Sequence, residues 1–218
     1  MGLPRAGGGE PLLPLTCVVT AGRSWSTTRT LSTPSAIPSG FLADSSQPAL
    51  PATGRLLLRP WEPADAPAFL SAYQDHEIRR WHTRRPATEP QVRVRRIPPG
   101  LGTRDGGHWA ITRDDGQMLG RIALRGLDFD DGIAGAAYWM LPAARGAGAA
   151  SRALTALTAW ALDEIGFHRL QLDHSTRNHA SCRVATKSGY LLEGTKRSAA
   201  VHDDGRHDMH LHAHTQGD

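Results

Sequence analysis

Ala136-Ala137-Tyr138-Trp139-Met140-Leu141 runs through Pro142 into Arg145-Gly146-Ala147-Gly148-Ala149-Ala150, and the chain continues as Ser151-Arg152-Ala153-Leu154. The apolar, aromatic run before Pro142 reads as a strand. Beyond the loop, Ala150, Ala153, Leu154, Leu157, Ala161 and Ile165 form one apolar stripe at helical spacing, and Gly166 supplies the stop. A strand that turns through small residues into a helix is a phosphate cradle. Small side chains let the backbone approach an anion, and the unpaired first-turn amides, aided by the helix dipole, aim donors at a pyrophosphate. Tight packing would use the same residues. The full G-x-G-x-x-G of a dinucleotide fold is absent, as is the Gly-Lys-Ser/Thr of a nucleotide-binding P-loop.

Upstream of this stretch, Leu56-Leu57-Leu58 reads as a short strand closed by Pro60, and Pro63 opens a helix carrying Ala66, Phe69, Leu70 and Tyr73. Asp-Gly pairs at 115–116, 131–132 and 204–205 mark three hairpins. Downstream, residues 169–173 alternate like a strand, residues 181–187 read as a short helix, and Tyr190 leads into the next strand. The order is strand, helices, three antiparallel strands, helix, strand, helix, two strands. That is a mixed α/β (α+β) pattern with about seven strands.

The 218 residues are 39% apolar, enough for one enzyme domain with a sizeable core. No apolar run approaches the roughly 20 residues a bilayer requires, so no membrane association is expected. Cys17 and Cys182 are the only cysteines, which fits a cytoplasmic chain without a disulfide framework. Residues 1–53 are rich in Ser, Thr, Pro and Gly and read as a disordered leader, with the catalytic domain spanning 54–215. The net charge is only +4, but residues 79–96 hold seven arginines (79, 80, 84, 85, 93, 95 and 96) against Glu89. Such a patch suits an acidic acceptor or a solvated surface. Without interleaved aromatics or a known motif, nucleic-acid binding is not expected.

A second block completes the picture: Asn178-His179-Ala180-Ser181, then Lys187-Ser188-Gly189-Tyr190 and Glu193-Gly194. With Arg145-x-x-Gly148-x-Ala150, these residues resemble the Q/R-x-x-G-x-G/A and N-x-x-S…K-x-G-F/Y…E-G signatures of the GNAT superfamily of N-acetyltransferases, in the branch that includes ribosomal-protein-alanine N-acetyltransferases. The likeness covers residues 55–214. Thr186 departs from the branch's usual Glu, and Ala147 from a basic residue common in this loop.

The resemblance implies a GNAT fold, a mostly antiparallel sheet splayed between its fourth and fifth strands with helices on both faces. It implies acetyl-coenzyme A as co-substrate, without a metal, and a primary amine acceptor, either a protein N-terminus or a small molecule. A homodimer is left open. An acyl-coenzyme A sensor of the same fold that performs no transfer is the alternative function.

Site residues follow residue by residue. Arg145, Gly146, Ala147, Gly148, Ala149 and Ala150 would hold the pyrophosphate. Met140 and Leu141 would offer backbone to the thioester at the splay. By the same resemblance Asn178 contacts the pantetheine arm, although its residue type also suits a helix cap. Ser181, one turn on, would protonate the departing thiolate or hold a water that does. His174, at the end of a strand, is the candidate base because its unperturbed pKa lies near 6.5; a water chain is the other reading. His210, His212 and His214 alternate along the last strand and are read as facing solvent or a helix rather than binding a metal.

Overall fold

The computed structural model describes residues 33–38, 41–42, 46–82 and 106–218. Two short strands, β1 (Leu50–Ala52) and β2 (Leu56–Pro60), precede α1 (Ala66–Gln74) and α2 (His76–Trp81). Pro63 begins a 3₁₀ turn that leads into α1, and the Asp75 carboxylate caps α2 by accepting from the Ile78 amide at 2.9 Å. The Asp-Gly pairs then turn hairpins as their type demands. They join β3 (His108–Arg113) to β4 (Met118–Asp128), β4 to β5 (Ile133–Met140), and, later, β7 (Leu191–His202) to β8 (Gly205–Thr215). Gly116 and Gly132 sit at φ 82° and 64°, conformations that cost any other residue strain. Between the second and third hairpins come α3 (Ala149–Ala159), continued by a π-helical turn over Trp160–Ile165, then β6 (Arg169–Ser175) and α4 (His179–Lys187). Gly166, at φ 91°, ends the α3 segment.

The strands form one sheet in the order β1-β2-β3-β4-β5-β6-β8-β7. All neighbours are antiparallel except β5 and β6, which run parallel and pair only over Ile133–Arg169, Ala134–Leu170 and Gly135–Gln171. Past Gly135 the two strands separate. The expected splay is therefore present, one strand later in the count because β1 adds an eighth strand at the edge.

Alternation along β5 sends its side chains to two cores. Ala136 and Met140 join Ala153, Leu154 and Leu157 of α3, whereas Trp139 joins Phe69 and Ala72 of α1 and Ile78 of α2. Helices thus cover both faces. No helix among the described residues is long and apolar enough to cross a membrane.

The domain boundary drawn at residue 53 falls inside a compact unit that runs from Pro34 to Asp218. Ile37, Leu42 and Leu50 are only 1%, 3% and 7% exposed within the main core. The Ile37 amide donates to the Phe129 carbonyl at 3.0 Å, and Gln47 exchanges two hydrogen bonds with the His108 backbone. These residues are isolated apolar positions among Ser, Pro and Gly, and a three-residue strand has no period to detect. Their burial is supplied by distant partners. The expectation for residues 1–32 lies outside the described residues.

Candidate active site

The strand β5 ends where the sheet opens. Gly120 stands opposite Met140, and the next residue, Leu141, donates its amide to the Leu119 carbonyl at 2.8 Å. In an antiparallel ladder, hydrogen-bonded and non-bonded pairs alternate, so the Met140 N–H and C=O both point away from β4, toward the gap beside β6. The Met140 carbonyl accepts from Arg145 Nε at 3.2 Å. Its amide faces the opening. Leu141, whose amide is committed to β4, is not among the residues lining that opening, so of this backbone pair only Met140 is brought to the site.

The loop from Arg145 turns through Gly146 (φ 82°) and Gly148 (φ 74°), both left-handed, and Gly148 is the N-cap of α3. These two glycines orient the loop so that Ala149, Ala150 and Ser151, whose amides begin the helix, border a cavity of about 480 Å³. Arg145, Gly146, Gly148, Met140, His174, Asn178 and Ser181 border the same cavity. Ala147 does not; its carbonyl accepts from Arg152 at 3.0 Å. Arg125, Arg183 and Lys187 add positive charge to the wall, while Glu77 and Asp173 add negative charge.

Arg145 does more than border the loop, because its guanidinium pairs with Asp75 at the α1–α2 junction. Burial alone would raise the Asp75 carboxyl, but Arg145 and the Ile78 amide outweigh it and hold the group below the ordinary carboxylate range. A depressed carboxyl contributes stability above its unfolded pKa and loses it as pH falls through the lowered value. Asp75→Asn should therefore lower the thermal midpoint at neutral pH and flatten its acid-side decline, as followed by thermal melts between pH 7 and 3. A midpoint curve parallel to that of the natural chain would show that the pair contributes nothing.

Asn178 caps α4, its Oδ1 accepting from the Ser181 amide at 3.0 Å, so the cap and the cavity lining coincide in one residue. Ser181 is 9% exposed and its Oγ lies 2.8 Å from the Tyr138 hydroxyl. Burial pushes the Tyr138 hydroxyl up to about 12, only partly offset by Ser181, so it stays protonated at neutral pH. Tyr138 was read from the sequence only as strand packing. The available signal was its parity with Met140, which puts both on one face of β5 and toward α4.

His174 is buried, and burial lowers its pKa, against the bond to the Ser175 carbonyl and aided by His212 and His210. Its Nδ1 lies 2.9 Å from that carbonyl, which can only accept, so Nδ1 carries the proton. The ring stacks on His212 at 5.1 Å and meets His210 edge-on at 5.4 Å. His212 is 1% exposed and faces α4, the helix-facing alternative of the two read for the alternating histidines. Of the arginine patch, Arg79 and Arg80 belong to α2, with Arg80 4.6 Å above the Trp81 ring. Arg84, Arg85, Arg93, Arg95 and Arg96 lie outside the described residues.

Comparison with known proteins agrees with this fold. The chain is 28% identical over 95 residues to the putative ribosomal N-acetyltransferase YdaF of Bacillus subtilis (strain 168). That match takes in 44% of this chain and 52% of the relative, so the chain spans about half the length of the curated relative it matches. A structure of the ribosomal L7/L12 alpha-N-protein acetyltransferase RimL in complex with coenzyme A superposes with a TM-score of 0.69 at 20% identity, covering 77% of this chain and 98% of that one. The Salmonella typhimurium acetyl transferase that modifies the N-terminal serine of L7/L12 superposes at 0.67, with 21% identity over 78% of this chain and 99% of that one. The acetyltransferase (GNAT) domain family matches residues 55–191, which take in the opened sheet edge, the glycine loop and the capped α4; the chain belongs to that family.

Proposed function

We propose that this chain is an N-acetyltransferase that moves an acetyl group from acetyl-coenzyme A directly to a primary amine in a ternary complex. The observation that carries the reading is one cavity joining the first-turn amides of α3 to the Ser181–Tyr138 hydroxyl pair across the opened edge of β5. The pyrophosphate would lie on the 145–150 loop, and the pantetheine arm would enter the gap between β5 and β6 near Asn178. There the Met140 amide would take the developing oxyanion.

Chemically, a neutral amine attacks the thioester carbon, forming the C–N bond as the carbonyl electrons move to oxygen. Collapse restores C=O and breaks C–S. The sulfur takes a proton from Ser181, which is recharged through Tyr138 or water, and the proton shed by nitrogen passes to water at the mouth. Water is preferred over His174 as the acceptor because the imidazole ring is packed between His210 and His212. Glu77 and Asp173 give the wall charges that attract an ammonium, and the names of the relatives favour a protein N-terminus over a small-molecule amine.

Thiol release from acetyl-coenzyme A against a panel of N-terminal peptides and small amines tests the reading. Turnover with one class supports it. Tight cofactor binding with no release for any amine would instead make the chain a sensor. Ser181→Ala should lower kcat about tenfold, below the usual range for acid catalysis because a thiol of pKa about 8.5 already leaves well. Cofactor Kd should stay within about twofold, since the Asn178 cap uses the backbone amide that alanine keeps. Full turnover in the variant would leave position 181 a purely structural one.

A further inference from the structure

The antiparallel register of β6 with β8 assembles a second constellation that acyl transfer does not use. His174 stands opposite His210, and Leu172 opposite His212, so His174, His210 and His212 project from one face of the sheet. Across that face α4 brings Cys182, whose Sγ is 4.0 Å from His212 Nε2. One ligand atom from each of the four residues lies within 4.8 Å of every other. His214 shares the strand face but is not among the four residues whose ligand atoms meet.

The hydrogen bonds around the cluster favour a ligand. His174 Nδ1 donates to the Ser175 carbonyl at 2.9 Å, and His212 Nδ1 donates to the Tyr190 carbonyl at a longer 3.4 Å. A ring nitrogen that donates to a carbonyl leaves the other nitrogen with a free lone pair, which is how proteins orient metal-binding imidazoles. His174 Nε2 and His210 Nδ1 are buried without a hydrogen-bond partner, and His174 and His212 are only 5% and 1% exposed. Orphaned buried polar nitrogens are costly and call for an occupant.

We propose that His174, Cys182, His210 and His212 bind a divalent transition metal, with Zn²⁺ the ion best matched. Three imidazoles and a thiol form the borderline-soft N₃S set that suits tetrahedral zinc. Tetrahedral ligands stand about 3.3–3.6 Å apart, so closure needs a contraction of about 1 Å. On binding, the Cys182 thiol releases its proton to solvent and the sulfur becomes a thiolate ligand. The metal would fasten α4, which carries Asn178 and Ser181, to β6 and β8 at the floor of the cavity. The alternating histidines alone gave no such site, because its second half comes from β6 and α4.

The test uses the full chain, stripped with a chelator and titrated with Co²⁺ and then Zn²⁺. One equivalent of Co²⁺ should produce tetrahedral d–d absorption and a thiolate charge-transfer band, and Zn²⁺ should displace it and raise the thermal midpoint. Cys182→Ser should abolish the charge-transfer band, and both Cys182→Ser and the partly exposed His210→Asn should weaken Zn²⁺ binding by roughly 100-fold or more. His214→Gln should change nothing. Circular dichroism of each variant separates a lost ligand from a lost fold. Binding below one equivalent, or Zn²⁺ affinity unchanged in folded Cys182→Ser, would overturn the proposal, and neither result bears on acetyl transfer.

Discussion

Gly148→Glu is expected to weaken acetyl-coenzyme A binding by on the order of 100-fold, about 2.7 kcal/mol, as measured by calorimetry. Gly148 is the N-cap of α3 at φ 74°, and a Cβ built there meets Arg152 Nη1 at 3.3 Å. The backbone strain is roughly 1–2 kcal/mol, and the guanidinium end can move aside, so the fold should survive. The carboxylate, however, would stand where a pyrophosphate must approach the helix start, opposing it in charge and in volume. Gly148→Asn separates the two effects: asparagine tolerates the left-handed conformation and adds no charge, so it should lose far less affinity. Equal losses in the two variants would mean that conformation, not charge, governs the loop. Unchanged affinity in a folded Gly148→Glu chain would sink the phosphate reading.

A chain beginning at residue 54 should melt at least about 10 °C below one beginning at residue 34, or fail to fold. The shorter chain lacks Ile37, Leu42 and Leu50, each nearly sealed in the core, and burial of each such side chain is worth about 1.5–3 kcal/mol. It also lacks the partners of the His108 backbone and of Trp109 Nε1, which donates to the Pro48 carbonyl at 2.8 Å. Together these losses approach the whole stability of an ordinary domain. Equal midpoints by scanning fluorimetry would show that the segment is dispensable.

These expectations divide along what a sequence can carry. The stretch from Ala136 to Ala150 was legible because each step leaves a local mark: an apolar strand, a proline, small residues, then an apolar stripe. The Asp-Gly hairpins and the Asn178 cap were legible for the same reason. Ile37 and Leu42 were not, because their burial depends on β-strands far along the chain. The choice between Met140 and Leu141 turned on ladder parity, which the β4–β5 register sets: Gly120 faces Met140, and the Leu141 amide bonds the Leu119 carbonyl. The pairing of Tyr138 with Ser181 spans 43 residues, and the meeting of His174 with Cys182, His210 and His212 needs the β6–β8 register and the placement of α4. Resemblance suggested the proposed role of Ser181, and the fold supplied its neighbour Tyr138.

The three-pair junction of β5 with β6 has a thermodynamic meaning as well as a geometric one. It divides the sheet into β1–β5 and β6–β8, with little backbone bonding to hold the halves together past Gly135. A pantetheine arm lying in that gap would act as the missing rungs of the ladder, bonded to both halves. The donor would then be a folding ligand: at a free concentration 100 times Kd it adds about 2.7 kcal/mol to the native state. For a chain of this size that is roughly 5–10 °C in midpoint. The amount of folded protein would thus track the supply of coenzyme A thioester, so that starvation for the donor would thin the population of the enzyme as well as slow its turnover.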